Sequence, residues 1–213
     1  MGCSDADCIL IGMRTGQLVR VSQLRDPAPA PRQFHRDEVL GIFLSAPTVT
    51  VTTLDFCPFV QNHVLVGYAD GDLSLYNTKH AAPLRTWTST SKSSSSNDDD
   101  TVIRVRWSPG CPGVFFVLFE SSELQLWNII QRFDGPISST NLYNDEKMVV
   151  HTSSSSSSSK MSMDCHRDGF VCVCNGGDET LQLELGSSYM CLEDRELQIA
   201  IDSLRKRLAG LPM

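Results

Sequence analysis

No stretch of this 213-residue chain has the run of about 20 apolar residues that a membrane helix needs. Cations are the minority charge, 18 Lys and Arg against 25 Asp and Glu, a formal net charge of −7. Clustered cations hold phosphate backbones, and no basic run interleaved with aromatics occurs. Neither a nucleic-acid partner nor a membrane is therefore expected. Met1 to Ile11 lacks the basic flank and long apolar core of a secretory leader. Catalytic signatures are missing too: no Gly-rich phosphate loop, nucleophile elbow, H-E-x-x-H or marked carboxylate pair is present. The expectation is a soluble, intracellular, non-catalytic protein with no catalytic, cofactor-binding or metal-binding residues and no cofactor.

Eight cysteines contain no C-x-x-C. Cys172 and Cys174, two apart on a strand, share a face and could touch one metal, with Cys165 and His166 nearby in sequence. Reduced structural thiols are the expected reading, Cys57 and Cys111 among them. At the amino end Gly2 beside Cys3 suggests dual acylation, but Ala6 stands where that pattern wants Ser or Thr.

What the sequence has is a repeat. Val51 to Asn77 and Val102 to Asn128 align without a gap at an offset of 51 residues. Each opens on an alternating run that closes with an aromatic, a variable residue and a proline: Phe56-Cys57-Pro58 and Trp107-Ser108-Pro109. An apolar run follows (Val64 to Val66; Phe115 to Val117), then a polar turn (Asp70-Gly71-Asp72; Ser121-Ser122-Glu123). Each unit ends on an alternating strand with an aromatic and an asparagine, Tyr76-Asn77 and Trp127-Asn128. Several short strands per unit at this period indicate β-propeller blades.

Partial copies flank the two full ones. Cys8 to Gly12 and Leu18 to Val21 around Thr15-Gly16-Gln17 read as a hairpin of a first blade without its opening strand. Asp26 to Pro31, with three prolines, cannot donate a ladder and reads as a loop. Pro83 to Trp87 supplies the outer strand of the second blade. Arg104 and Arg106 alternate along Val102 to Trp107, a basic strand face that is solvated or meets the acidic loop before it. After Asn128 the chain turns through Pro136. Gly169 to Cys174 and Thr180 to Leu185 form a hairpin of a last blade, with Met161 to Cys165 as its opening strand. Ser-rich tracts at 89–100 and 152–160 read as disordered insertions.

The period then becomes helical. Leu197, Ile201, Leu204 and Leu208 fall on one face, acidic residues lead and Arg205 to Arg207 close, and Gly210 and Pro212 stop the helix. The expected architecture is all-β: a partial propeller of about three to four blades over residues 1–186, with a C-terminal amphipathic helix in 187–213 packing on it.

The two full units resemble WD40 repeats in a divergent form, through the aromatic-x-proline and the aromatic-Asn ending. The Gly-His and Trp-Asp pairs of that family are missing, so the network built on them is not carried over. Within that class the chain resembles the dynein intermediate chains. The carriers are Tyr76-Asn77-Thr78-Lys79 with Pro83-Leu84, Val105 to Pro109 with Pro112 to Phe115, and Leu124 to Ile129. A helix after the last blade is a further shared feature. Thr52 to Phe59 and Trp127 to Pro136 look most like the intermediate chain of dynein-2, the motor of intraflagellar transport.

The resemblance implies a non-catalytic subunit whose propeller binds a dynein heavy chain in retrograde intraflagellar transport and cilium assembly. Its setting would be the cytoplasm, cytoskeleton and cilium or flagellum. The family binds dynein light chains through segments upstream of its propeller, so no residue here is assigned to them. The chain is expected to be the carboxy-terminal part of a longer protein. Two other readings stand beside this one: a WD40 scaffold of an unrelated assembly, and an acylated regulator resting on Gly2 and Cys3.

Overall fold

Alternation, glycine turns and β-branched residues give antiparallel sheet along most of the described chain, and only the last element is a helix. The computed structural model describes residues 8–22, 32–34, 36, 49–88, 100–142, 149–151, 161–166, 170–174, 180–184 and 194–211. Gly2, Cys3, Asp26 to Pro31, the Ser-rich tracts except Asp100, and the turn at 175–179 lie outside those residues.

The strands form four sheets. β1 (Cys8–Gly12), β2 (Leu18–Ser22) and β3 (Arg32–Phe34) make the first, in that order. β4 (Val51–Phe56), β5 (His63–Tyr68), β6 (Leu73–Asn77) and β7 (Pro83–Trp87) make a four-stranded meander. β8 (Val102–Trp107), β9 (Val114–Phe119), β10 (Glu123–Asn128) and β11 (Ser138–Asn141) make another. The last sheet runs β12 (Val149–His151), β15 (Thr180–Glu184), β14 (Phe170–Cys174), β13 (Ser162–Cys165). Its outer strand β12 thus comes from before the other three, whereas β7 and β11 follow theirs. Helix α1 spans Asp194–Ala209.

The chain divides into two compact units, residues 1–102 with 211–213, and residues 103–210. In the first, Leu18 and Phe34 pack with Val64, Val66, Tyr68 and Tyr76, and Leu10, Val51 and Leu54 close around them. In the second, Val114, Phe116 and Leu118 pack with Met163, Val171 and Val173. Every residue of β5 and of β9 is buried, and each of these strands lies between two others of its own sheet. Each such Val, Leu or Phe contributes about 1.5–3 kcal/mol relative to its exposed state.

Helical periodicity places α1 as expected: Leu204 and Leu208 are buried, Leu197 and Ile201 half-buried. β3, β11 and β12 carry no alternation and are additions to the sequence reading. β4 begins at Val51, within the β-branched run that starts at Thr48.

Candidate interaction site

The ordered polar contacts gather at the ends of the strands, where the two full blades repeat several backbone hydrogen bonds. In the β5–β6 hairpin, Tyr68 N–H donates to Asp72 O at 3.0 Å and Gly71 N–H to Tyr68 O at 3.2 Å, with Gly71 at φ 81°. In the β9–β10 hairpin, Ser122 N–H donates to Phe119 O at 3.0 Å, with Ser122 at φ 68°. The β1–β2 hairpin closes likewise: Met13 N–H donates to Gln17 O at 2.9 Å and Gly16 N–H to Met13 O at 3.1 Å, with Gly16 at φ 80°. A three-residue turn with its last residue left-handed is the common device. It leaves Arg14, Thr15, Glu120 and Ser121 exposed at fixed tips.

The opposite ends match as well. Asn62 at φ 64° and Gly113 at φ 79° stand 51 residues apart, and each carbonyl accepts from the residue after the third strand. Thr78 N–H donates to Asn62 O at 2.8 Å and Ile129 N–H to Gly113 O at 3.0 Å. Asn77 Oδ1 accepts from Lys79 N–H at 3.0 Å, and Asn128 Oδ1 from Ile130 N–H at 3.0 Å and Gln131 N–H at 3.2 Å. The asparagine after the aromatic is thus the residue that folds the outgoing turn.

A polar tie stands in the first unit. Arg36 Nη1 lies 2.7 Å from Asp70 Oδ2 and 3.4 Å from Asp72 Oδ2, with its side chain only 15% exposed. Its guanidinium sits 5.0 Å from the Tyr68 ring centroid, and the Tyr68 and Tyr76 hydroxyls meet at 3.0 Å. Nothing in the sequence around Arg36 marks it. The two aspartates were legible only as turn residues.

In the second unit the end of α1 occupies the turn after β10. Arg207 Nε donates to Ile129 O at 3.2 Å and Nη2 to Ile130 O at 3.3 Å, with the guanidinium 5.6 Å from the Phe133 ring centroid. Arg106 Nε lies 3.6 Å from Asp164 Oδ1 of β13.

Burial pushes the Cys57 thiol up to about 11, so it stays protonated and a poor nucleophile at neutral pH. Burial also lowers the pKa of His63, whose Nδ1–H donates to Gln61 O at 2.8 Å. Among the described residues no group of three His, Cys, Asp or Glu could hold a metal. Cys165 is half-buried and His166 exposed, and the side chains of Cys172 and Cys174 lie outside the described residues. No helix among the described residues is long and apolar enough to cross a membrane.

No family model matches the chain. It is 32% identical to cytoplasmic dynein 2 intermediate chain 1 of Homo sapiens over 134 residues, 63% of this chain and 11% of that protein. Its curated homologues are dynein-2 intermediate chains. The Mus musculus protein of the same name is 28% identical over 149 residues, 70% of this chain and 14% of that one. The chain therefore spans a small fraction of the length of the curated relatives it matches. Among solved structures, Chaetomium thermophilum Sqt1 matches at a TM-score of 0.59 and 13% identity, covering 88% of this chain and 43% of that one. Sqt1 bound to the N-terminus of ribosomal protein L10 matches at 0.57 and 14%, covering 86% and 42%. These are WD40 propeller proteins, and the likeness is one of fold: an all-β, partial WD40-type propeller with a C-terminal helix.

Proposed function

We propose that the chain is the blade-bearing part of a non-catalytic, dynein intermediate-chain-like subunit whose propeller binds a dynein heavy chain. Retrograde intraflagellar transport and cilium assembly are the process. The cytoplasm, the cytoskeleton and the cilium are its place. The observation that carries this reading is the 32% identity to dynein 2 intermediate chain 1 over 134 residues. The strand-end geometry supports it, since rigid blades ending in fixed exposed loops are built to hold a partner. Residues 1–186 supply the blades in this reading, and residues 187–213 the helix that packs on them. The Ser-rich tracts contribute no contact.

Co-precipitation of a dynein-2 heavy chain from ciliated cells tests it. The tagged chain captures the heavy chain, and so does the chain lacking 89–100 and 152–160. The chain lacking 43–213 does not. Capture unaffected by that last deletion, or no capture by a folded chain, overturns the proposal. The latter result would favour a WD40 scaffold of another assembly.

A further inference from the structure

Arg104 and Arg106 stand two apart on β8, so their side chains leave the same face of the strand. Arg106 Nε lies 3.6 Å from Asp164 Oδ1 of β13. That face is therefore turned to the last sheet, where Phe116 and Leu118 pack with Met163, Val171 and Val173. The place is internal to the chain, between two sheets of one compact unit. Asp164 beside it has an 81% exposed side chain, so solutes reach the pair.

The two arginines differ in what they hold. Arg106 has Asp164. Arg104 is half-buried and has no hydrogen bond, ion pair or ring contact among the described residues, and its Nε is buried without a partner. A partly buried cation without a counterion costs stability. A blade folds without it, since the residue 51 positions earlier in the repeat is Thr53. A side chain that works against the fold, and that the repeat does without, is the mark of a binding residue.

We propose that Arg104 is a docking point for a carboxylate side chain of a partner protein, with Arg106 and Asp164 flanking it. Charge selects the ligand. Two guanidiniums and one carboxylate leave a single positive charge, which a monoanion neutralises. A phosphate dianion would set excess negative charge against Asp164. The net charge of −7 disfavours a nucleic-acid backbone. Shape agrees, because a planar guanidinium meets a carboxylate through two parallel N–H bonds. The inference goes beyond the heavy-chain reading and requires only that the partner present an acidic side chain, so its test contains no dynein.

The test uses the full chain, isotope-labelled at arginine, and two capped tripeptides as probes, Gly-Glu-Gly and Gly-Gln-Gly. The Arg104 Nε–H resonance, assigned by its loss in R104M, moves saturably with the Glu peptide and not with the Gln peptide. R104M and R104K each weaken Glu-peptide binding about tenfold, since a lysine keeps the charge and lacks the fork. R195M, which removes an exposed cation of α1, leaves binding unchanged. The urea midpoint of R104M equals or exceeds that of the unmodified chain, because no partner within the chain is lost. Equal responses to the two peptides, equal weakening in R195M, or a lowered midpoint in R104M overturns the proposal. Tighter binding of inorganic phosphate than of the Glu peptide also overturns it, and assigns the site to a phosphate group.

Discussion

Gly12 lies against Val51 so closely that a β-carbon on it would sit 2.5 Å from Val51 Cγ1. Gly67 repeats the relationship with Val102, the residue that ends the first unit, also at 2.5 Å, and a methyl there would meet Thr53 Cγ2 at 2.8 Å. Neither glycine has positive φ, so the requirement is for space and not for backbone freedom. Both partner valines are β-branched and stiff at χ1, which leaves the backbone to yield. Gly12→Ala and Gly67→Ala should each cost about 1–3 kcal/mol, Gly67→Ala the more because two side chains oppose it. Denaturant midpoints measure this, and a loss under about 0.3 kcal/mol at both positions counts against the close approach.

Asn77 and Asn128 each turn the chain after a third strand through a side-chain acceptor. Asn128 accepts two backbone N–H groups and Asn77 one. Replacement by Ala should cost about 1 kcal/mol at Asn77 and more at Asn128, with Asp retaining most of the stability. If Asp is no better than Ala in thermal unfolding, the oxygen is not what shapes the turn.

These asparagines also show how much the sequence discloses. The 51-residue offset placed β4 to β6 and β8 to β10 by pattern alone, because each middle strand carries an unbroken apolar run and each turn needs a particular residue. Pro83 to Trp87 was legible for the same reason. β11, Ser-Ser-Thr-Asn, was not: an outer strand is held by backbone pairing and needs no apolar alternation. Arg36 was silent because its role exists only once β3 returns the chain beside the Asp70 turn. Asn62 could have been read, since Gly113 stands 51 residues on and both residue types accept a left-handed backbone.

His63 predicts an acid sensitivity. It is buried, its pKa is held below the ordinary 6.5 chiefly by burial, and Lys79 and His80 add repulsion. The unfolded chain therefore takes up a proton at a higher pH than the folded one. Stability from the neutral imidazole is present above about pH 6.5 and is lost as pH falls toward the lowered folded value. The urea midpoint should fall between pH 7.5 and 5, and fall less in His63→Phe. Equal falls in the two proteins would remove His63 as the cause.

Arg207 holds the last turn of α1 to the Ile129 and Ile130 carbonyls. The guanidinium is partly exposed, so its loss should cost about 1 kcal/mol and not the full value of a buried charged bond. Arg207→Ala should speed amide exchange in α1 about fivefold by easing local opening. Arg207→Lys should rescue little, since one ammonium cannot span both carbonyls with the planar fork. Exchange unchanged in both variants would leave Leu204 and Leu208 as the whole attachment.

Phe115 is the middle of an aromatic row across three strands. Its ring centroid is 5.3 Å from Trp107 at 64° and 5.5 Å from Trp127 at 12°, an edge contact on one side and a stack on the other. The row also anchors polar groups, because Trp127 Nε1 donates to Gln125 Oε1 at 3.1 Å and Gln125 Nε2 to Glu123 Oε1 at 2.8 Å. Trp107→Ala or Trp127→Ala should cost about 3–5 kcal/mol through the cavity left behind. Phe115→Leu keeps most of the apolar volume and removes the ring geometry, so it isolates the aromatic contribution. A double-mutant cycle between Phe115→Leu and Trp127→Leu should return a coupling of about 0.5–1.5 kcal/mol. Near-ultraviolet circular dichroism should weaken in Phe115→Leu while the far-ultraviolet sheet signal stays. A coupling near zero would mean that Phe115 fills space between the tryptophans without pairing with them, and the row would then be ordinary core.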